Sequence, residues 1–444
     1  MASLGEFLSH SDPLFRQAAD ALAAGFSHAP QSGAVGVYVP GRVEFLGKHT
    51  DYAGGRSLLM AVGRGFRMTA VPRTDKLLRV RTAAGGEDVR QFSFGQTPPH
   101  EPGHWVNYVA TVARRLAMNF SGKVDLTGAD IAFVSDLPIA AGMSSSSALM
   151  VATFLTLSAA NKLDRSPAYG REIDSPLRLA EYLGCVENGQ SFGSLEGEAG
   201  VGTFGGSEDH TSILCCKEGK LSQFSFAPSV FERDIPFPPE VELVIASSGV
   251  HAVKTAAAME KYNRASIRAV KAARAFNRAT GASCRHLREV IERIGPDGMM
   301  QALEAIRSGA EPADADLDLP GRFEQFFRED QEIIPAVGDA LAAGATERIG
   351  TLVDASHAAA ARGLQNQVEQ TNFLQSSARE LGAIAASYFG AGFGGSVWAM
   401  VEEDRAGEFA EAWQRRYAER FPDDSPRGEF FTTRPGKAAE VFAG

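Results

Sequence analysis

Cysteine is scarce in this chain of 444 residues: Cys185, Cys215, Cys216 and Cys284 form no C-x-x-C pair and no framework spacing. A zinc ribbon and a disulfide scaffold are thereby excluded, and buried or idle thiols in a reducing compartment are expected. No stretch approaches the ~20 apolar residues of a membrane span. The opening MASLGEFLSHSDPLFRQAADAL has neither the basic nor the apolar region of a secretory leader, so a cytoplasmic location is the expectation. Positive charge is in deficit, with 44 Lys and Arg against 54 Asp and Glu. That balance disfavours nucleic-acid and anionic-membrane partners, both of which need a basic contact face. Lys261, Arg264, Arg268, Lys271 and Arg274 recur at helical spacing and are expected to form a solvated helix face. Likewise, EPADADLDLP (residues 311–320) reads as an acidic loop carrying little more than solvation. Internal repeats and low-complexity tracts are absent.

The composition, 44% hydrophobic and 22% charged, is that of a globular chain able to bury a sizeable core. Alternating runs such as VGVYV, FRMTAVPR and LRVRTA predict antiparallel strands with one buried face. SALMVATFLTLSAANKL is apolar nearly all round and predicts a buried helix, with LRLAEYLGCVENG as an amphipathic neighbour. Strand ELVIASSGV precedes a long helix from near Ala252; helices are expected from Ile333 to about Leu381, then strand SVWAMV and a helix around Phe409 to Tyr417. Strands and helices without regular βαβ alternation argue for an α+β chain of two domains.

Between Pro40 and Gly55 the chain reads PGRVEFLGKHTDYAGG, crowding Arg42, His49 and Asp51 onto a Gly-punctuated loop. Donors and acceptors fixed so close together suit a polyhydroxylated ligand. A second loop, DLPIAAGMSSSSA (residues 136–148), runs into the apolar helix; a serine-rich cap and a phosphate-binding helix start both fit it. GAGFGG (390–395) and GVGTFG (200–205) both satisfy G-x-G-x-x-G, but neither sits in a strand-turn-helix context suited to a dinucleotide. Residues 41–50 miss a P-loop by one residue in spacing and by His49 after Lys48.

In chain order, HTDY, PIAAGMSSSSA, GTFGGSEDH, MEKYNRAS and GAGFGG together resemble galactokinases and the wider superfamily of galactokinase, homoserine, mevalonate and phosphomevalonate kinases. The likeness runs over most of the chain and is weakest between about Ala279 and Leu381. It implies an N-terminal α+β domain (1–235) and a ferredoxin-like C-terminal domain (236–444), with the active site between them. It also implies ATP and Mg²⁺. Gly142, Met143, Ser144, Ser145, Ser146 and Ser147 would wrap the triphosphate, backed by Gly392 and Gly394, with Ser146 and Glu187 placed to hold the metal. Asp209 falls at the family's catalytic aspartate, with Arg42 beside it; His49, Asp51 and Tyr262 fall on the sugar side.

Departures from the family pattern are specific. Glu44 stands where asparagine is usual, Lys48 where glutamate accepts a hydrogen bond from the hydroxyl at carbon six, and Ser387 where a basic residue is common. The segment between Glu187 and Asp209 is longer than usual. The expected activity is transfer of the γ-phosphoryl of ATP to the anomeric hydroxyl of galactose or a close relative, with Asp209 taking the proton and Arg42 keeping it ionised. Two alternatives stay open: a uronic acid kinase, in which Lys48 meets the substrate carboxylate, and a non-catalytic sugar sensor on the same fold.

Overall fold

The computed structural model describes residues 4–26, 33–84, 89–96, 98–138, 141–250 and 256–443, with backbone alone for 256–262 and 443. Its first sheet contains β1 (Val35–Leu46), β2 (Arg56–Pro72), β3 (Leu77–Thr82), β4 (Val89–Ser93), β5 (Ala129–Ser135), β6 (Lys220–Ser225) and β7 (Val230–Pro236). The second contains β8 (Val241–Ser247), β9 (Ala385–Phe389), β10 (Ser396–Glu402) and β11 (Phe430–Thr433), in the order β11-β8-β10-β9. A last strand, β12 (Glu440–Ala443), returns to the first sheet, whose path is β12-β1-β2-β5-β3-β4, with β6 on β2 and β7 on β6. All pairings are antiparallel except β3 with β5.

One buried face was expected for these strands, yet β1 is buried along almost its whole length. Helices cover both sides. Phe7, Phe15, Ala19 and Leu22 of the opening helices pack on Val71 and Ala132, while the apolar helix Ser145–Asn161 lies against β1 and β2 on the other side. The two sheets meet where Phe45 of β1 stacks on Trp398 of β10, with ring centroids 4.1 Å apart. Among the described residues, no helix is long and apolar enough to cross a membrane. The four cysteines are free thiols, and burial pushes Cys215 and Cys216 up to about 12.

Two segments expected to be merely solvated meet each other instead. Residues 312–317 form a 3-10 helix whose Asp314 is buried and accepts a hydrogen bond from Lys271 Nζ of helix Ala256–Thr280. Arg264 donates to the Asp316 carbonyl at 2.7 Å, and the buried Arg268 donates to the carbonyls of Gly363 and Asp318 at 2.7 and 2.9 Å. A charge stripe and a loop of opposite sign each look like surface on their own; their complementarity appears only when the helix packs across the loop.

Candidate active site

The loops singled out in the sequence converge on one cavity of about 520 Å³. Lining it are Arg42 and Glu44, which lie on strand β1 rather than on a loop, His49 and Asp51 beyond it, Gly142 to Ser147, Glu187, Glu208 to His210, and Gly392 and Gly394. Phe66, Trp105, Tyr108 and Phe133 add an aromatic wall that sequence reading had not picked out. These rings read as ordinary core before the fold puts them on one cavity.

The loop after β5 is drawn tight against the second sheet. Gly142 and Gly390 both have positive φ, and a Cβ on Gly390 would lie 2.7 Å from the Gly142 carbonyl oxygen, so only glycine permits the approach. Ser144 is the N-cap of helix Ser145–Asn161, but its own φ is +56° and its hydroxyl makes no cap bond. Its hydroxyl instead helps to lower the pKa of Asp209. The start of the helix thus lacks a side-chain cap from Ser144 and points its positive dipole end at the cavity.

Arg42 Nε donates to Asp209 Oδ1 at 2.8 Å and its backbone N–H donates to the Met143 carbonyl at 3.3 Å. Burial alone would raise the Asp209 carboxyl; the Arg42 guanidinium and the Ser144 hydroxyl outweigh it and hold the group below the usual carboxylate range. The Asp209 side chain keeps 33% of its surface open. Ser147 Oγ donates to Glu187 Oε2 at 2.8 Å and lies 3.4 Å from Asp209 Oδ2, with His210 Nε2 3.2 Å from the same Glu187 oxygen.

His49, at φ +57°, has its Nδ1 3.0 Å from the Tyr52 hydroxyl and its Nε2 3.1 Å from the Ala391 carbonyl oxygen. Burial, then the charge of Arg322, lowers its pKa to about 4, so the ring is neutral, and Nε2 also lies 3.2 Å from the Asn366 amide nitrogen. Asp51 Oδ2 accepts from the Glu208 backbone N–H at 3.3 Å, and a Cβ on Gly206 would come within 2.3 Å of that oxygen. Tyr262 lies outside the described side chains.

Lys48 corrects the expectation placed on it. It does not line the cavity: it is fully buried, with Nζ 3.2 Å from Glu44 Oε1 and 5.1 Å from the centre of the Tyr388 ring. The pair is close but not aligned for a hydrogen bond. The four-residue spacing carries both departures from the family pattern at once: a carboxylate at 44 faces the cavity, and the cation at 48 stands behind it.

What holds this loop in place was invisible in the sequence. Helix Leu319–Phe327 passes into a π-helical turn, Arg328–Ile333, and one run of side chains grips the loop. Arg322 donates to the His49 carbonyl at 2.6 Å and Gln325 to the Lys48 carbonyl at 3.1 Å. Glu329 Oε1 accepts from the Gly47 N–H at 3.0 Å, and Asp330 Oδ1 accepts from the Arg56 N–H at 2.6 Å. All four side chains are buried. Their only signal is polar residues interleaved with Phe323, Phe326 and Phe327.

Comparison with known proteins places the chain in a consistent setting. Residues 24–72 match the galactokinase galactose-binding signature, 107–191 the N-terminal domain of GHMP kinases, and 339–419 the GHMP kinases C-terminal model. A galactokinase of Chloroflexus aurantiacus is 29% identical over 393 residues, covering 85% of this chain and 87% of that protein. One of Pyrococcus furiosus is 27% identical over 407 residues, covering 90% and 98%. Among solved structures, Lactococcus lactis galactokinase complexed with galactose has a TM-score of 0.76 at 21% identity, over 95% of this chain and 98% of that one.

Proposed function

Because the chain belongs to the galactokinase family of GHMP kinases, with its two-domain α+β fold, we propose that it phosphorylates the anomeric hydroxyl of galactose or a close relative, giving the sugar 1-phosphate at the expense of ATP. The observation that carries this reading is the Arg42–Asp209 contact at 2.8 Å inside the cavity, between the sugar-loop residues and the start of helix Ser145–Asn161. A carboxylate kept ionised there can take the proton of an attacking hydroxyl. The positive end of the helix dipole at Ser145 favours the charge of the phosphates, and the aromatic wall around Trp105 suits a flat base.

The donor set of Ser147 and Glu187 is oxygen throughout and fits Mg²⁺, which is usually held by one or two carboxylates together with substrate phosphates. The ion would neutralise charge on the transferring phosphates. Ser146 is the hydroxyl ligand that the resemblance implies; its neighbour Ser147, whose Oγ donates to Glu187 Oε2 at 2.8 Å, offers a second hydroxyl at the same place. Ser147→Ala is therefore expected to leave the fold intact and to raise the Mg²⁺ concentration needed for half-maximal rate by roughly 10-fold, the scale of one charge-assisted oxygen contact. A metal titration of the purified variant checks it.

The uronic acid reading drew on a cation facing the sugar. With Lys48 behind Glu44, the acidic groups Glu44, Asp51 and Asp209 line the cavity, and a substrate carboxylate there would meet repulsion. The intact Asp209 argues against a sensor without turnover. ADP release measured across galactose, other hexoses, uronic acids and pentoses, with the product identified by its phosphorus spectrum, tests the proposal. Galactose 1-phosphate is the expected product; turnover of galacturonate alone, or of no sugar, would overturn it.

A further inference from the structure

Four carboxyl groups share the sugar end of the cavity, and three have partners suited to a negative charge. Asp209 has Arg42 at 2.8 Å, Glu44 has Lys48 at 3.2 Å, and Asp51 accepts the Glu208 backbone N–H at 3.3 Å. The fourth, Glu208, is 5% exposed and sits at the first position of helix Glu208–Cys215. Among the described residues its carboxyl meets one hydroxyl, Ser57 Oγ, which donates to Oε2 at 2.6 Å, and no cation within ion-pair distance. A lone ionised carboxylate among three others is the arrangement that costs most in a water-poor cavity.

We infer that Glu208 stands as a neutral carboxylic acid, with Oε2 held by Ser57 and its O–H offered to an oxygen of the bound sugar, making it a substrate-contacting specificity residue beside Asp209. Burial and the charges of Glu44 and Asp51 push its carboxyl well above the usual carboxylate range, in the direction this requires. A neutral acid supplies a donor that the cation-paired carboxylates of Asp209 and Glu44 do not, and a sugar oxygen needs donors as well. The inference rests on the sugar-kinase reading and adds to it which side chain donates.

The test compares two near-isosteric replacements with galactose as substrate. Glu208→Gln keeps a donor and an acceptor in place and is expected to lose several-fold less kcat/KM than a replacement without a donor. Glu208→Met keeps the volume but has no donor, and is expected to raise KM roughly 5- to 30-fold with kcat within about threefold, the scale of one lost hydrogen bond. A loss of 100-fold or more in Glu208→Gln would mean that an ionised carboxylate is required, and an unchanged KM in Glu208→Met would mean that the side chain does not touch the sugar; either result overturns the inference while the kinase reading stands. If Glu208→Met does not fold, the glutamine variant decides by the same thresholds. Failure of the parent chain to phosphorylate any sugar would remove the kinase reading and this inference with it.

Discussion

Asp209→Asn is expected to lower kcat by ~10²- to 10⁴-fold while sugar affinity changes little, since a missing general base costs about that much. The replacement is nearly isosteric and can still accept from Arg42 Nε, so Arg42 stays beside it and remains tied through its backbone to Met143. It removes the basicity and leaves the shape. The pH dependence has a definite sign. Asp209 is held below the usual carboxylate range, so its base form is present throughout the neutral region and is lost only as pH falls through that depressed pKa. Rapid-quench turnover and equilibrium sugar binding on the same preparation separate the two effects. Unchanged kcat would remove Asp209 as the base.

The second large effect concerns stability. Lys48→Glu would set two buried carboxylates against each other, with Glu329 also near, where now one cation faces Glu44 at 3.2 Å. Removing one partner of a buried pair costs ~3–5 kcal/mol, and reversing its sign adds repulsion. The variant should therefore unfold at markedly lower urea concentration rather than trade one sugar for another, as a cavity-facing lysine would have implied. Adding Glu44→Asn should restore most of the loss, because an amide can donate to the new carboxylate and carries no charge. Chemical denaturation of both variants checks this; equal midpoints for the parent chain and Lys48→Glu would show that the pair contributes nothing.

The parts of the site that were legible in the sequence are those in which chemistry dictates local composition. Glycines and serines cluster at 141–147 and 390–395 because the backbone there must come close to another backbone, as Gly142 does to Gly390. Arg42 and Asp209 could be named because each lies in a short motif, although 167 residues separate them. The grip on the sugar loop was illegible for the opposite reason. Glu329 and Asp330 act on backbone N–H groups more than 270 residues away, and a carboxylate such as Glu329 that binds backbone leaves no matching side chain to notice. Lys48 was misplaced because residue type tells charge but not which side of β1 the side chain takes. Strand and helix identities were mostly readable, yet the burial of β1 on both sides depends on helices from distant segments.

Strand β12 lies alongside β1, with Val441 opposite Val37 and Glu440 opposite Tyr38. A ribosome releases these partners far apart in time: β12 follows β1 by roughly 400 residues, which at 5–20 residues per second is roughly 20–80 s. Throughout that interval the outer edge of β1 has unpaired N–H and C=O groups that a neighbouring nascent chain on the same polysome could pair with. The sugar loop leaves directly from the end of β1. The groups that hold that loop, Arg322, Gln325 and Glu329, also follow it by more than 270 residues, so chaperone cover during synthesis would protect both the open edge and the unheld loop.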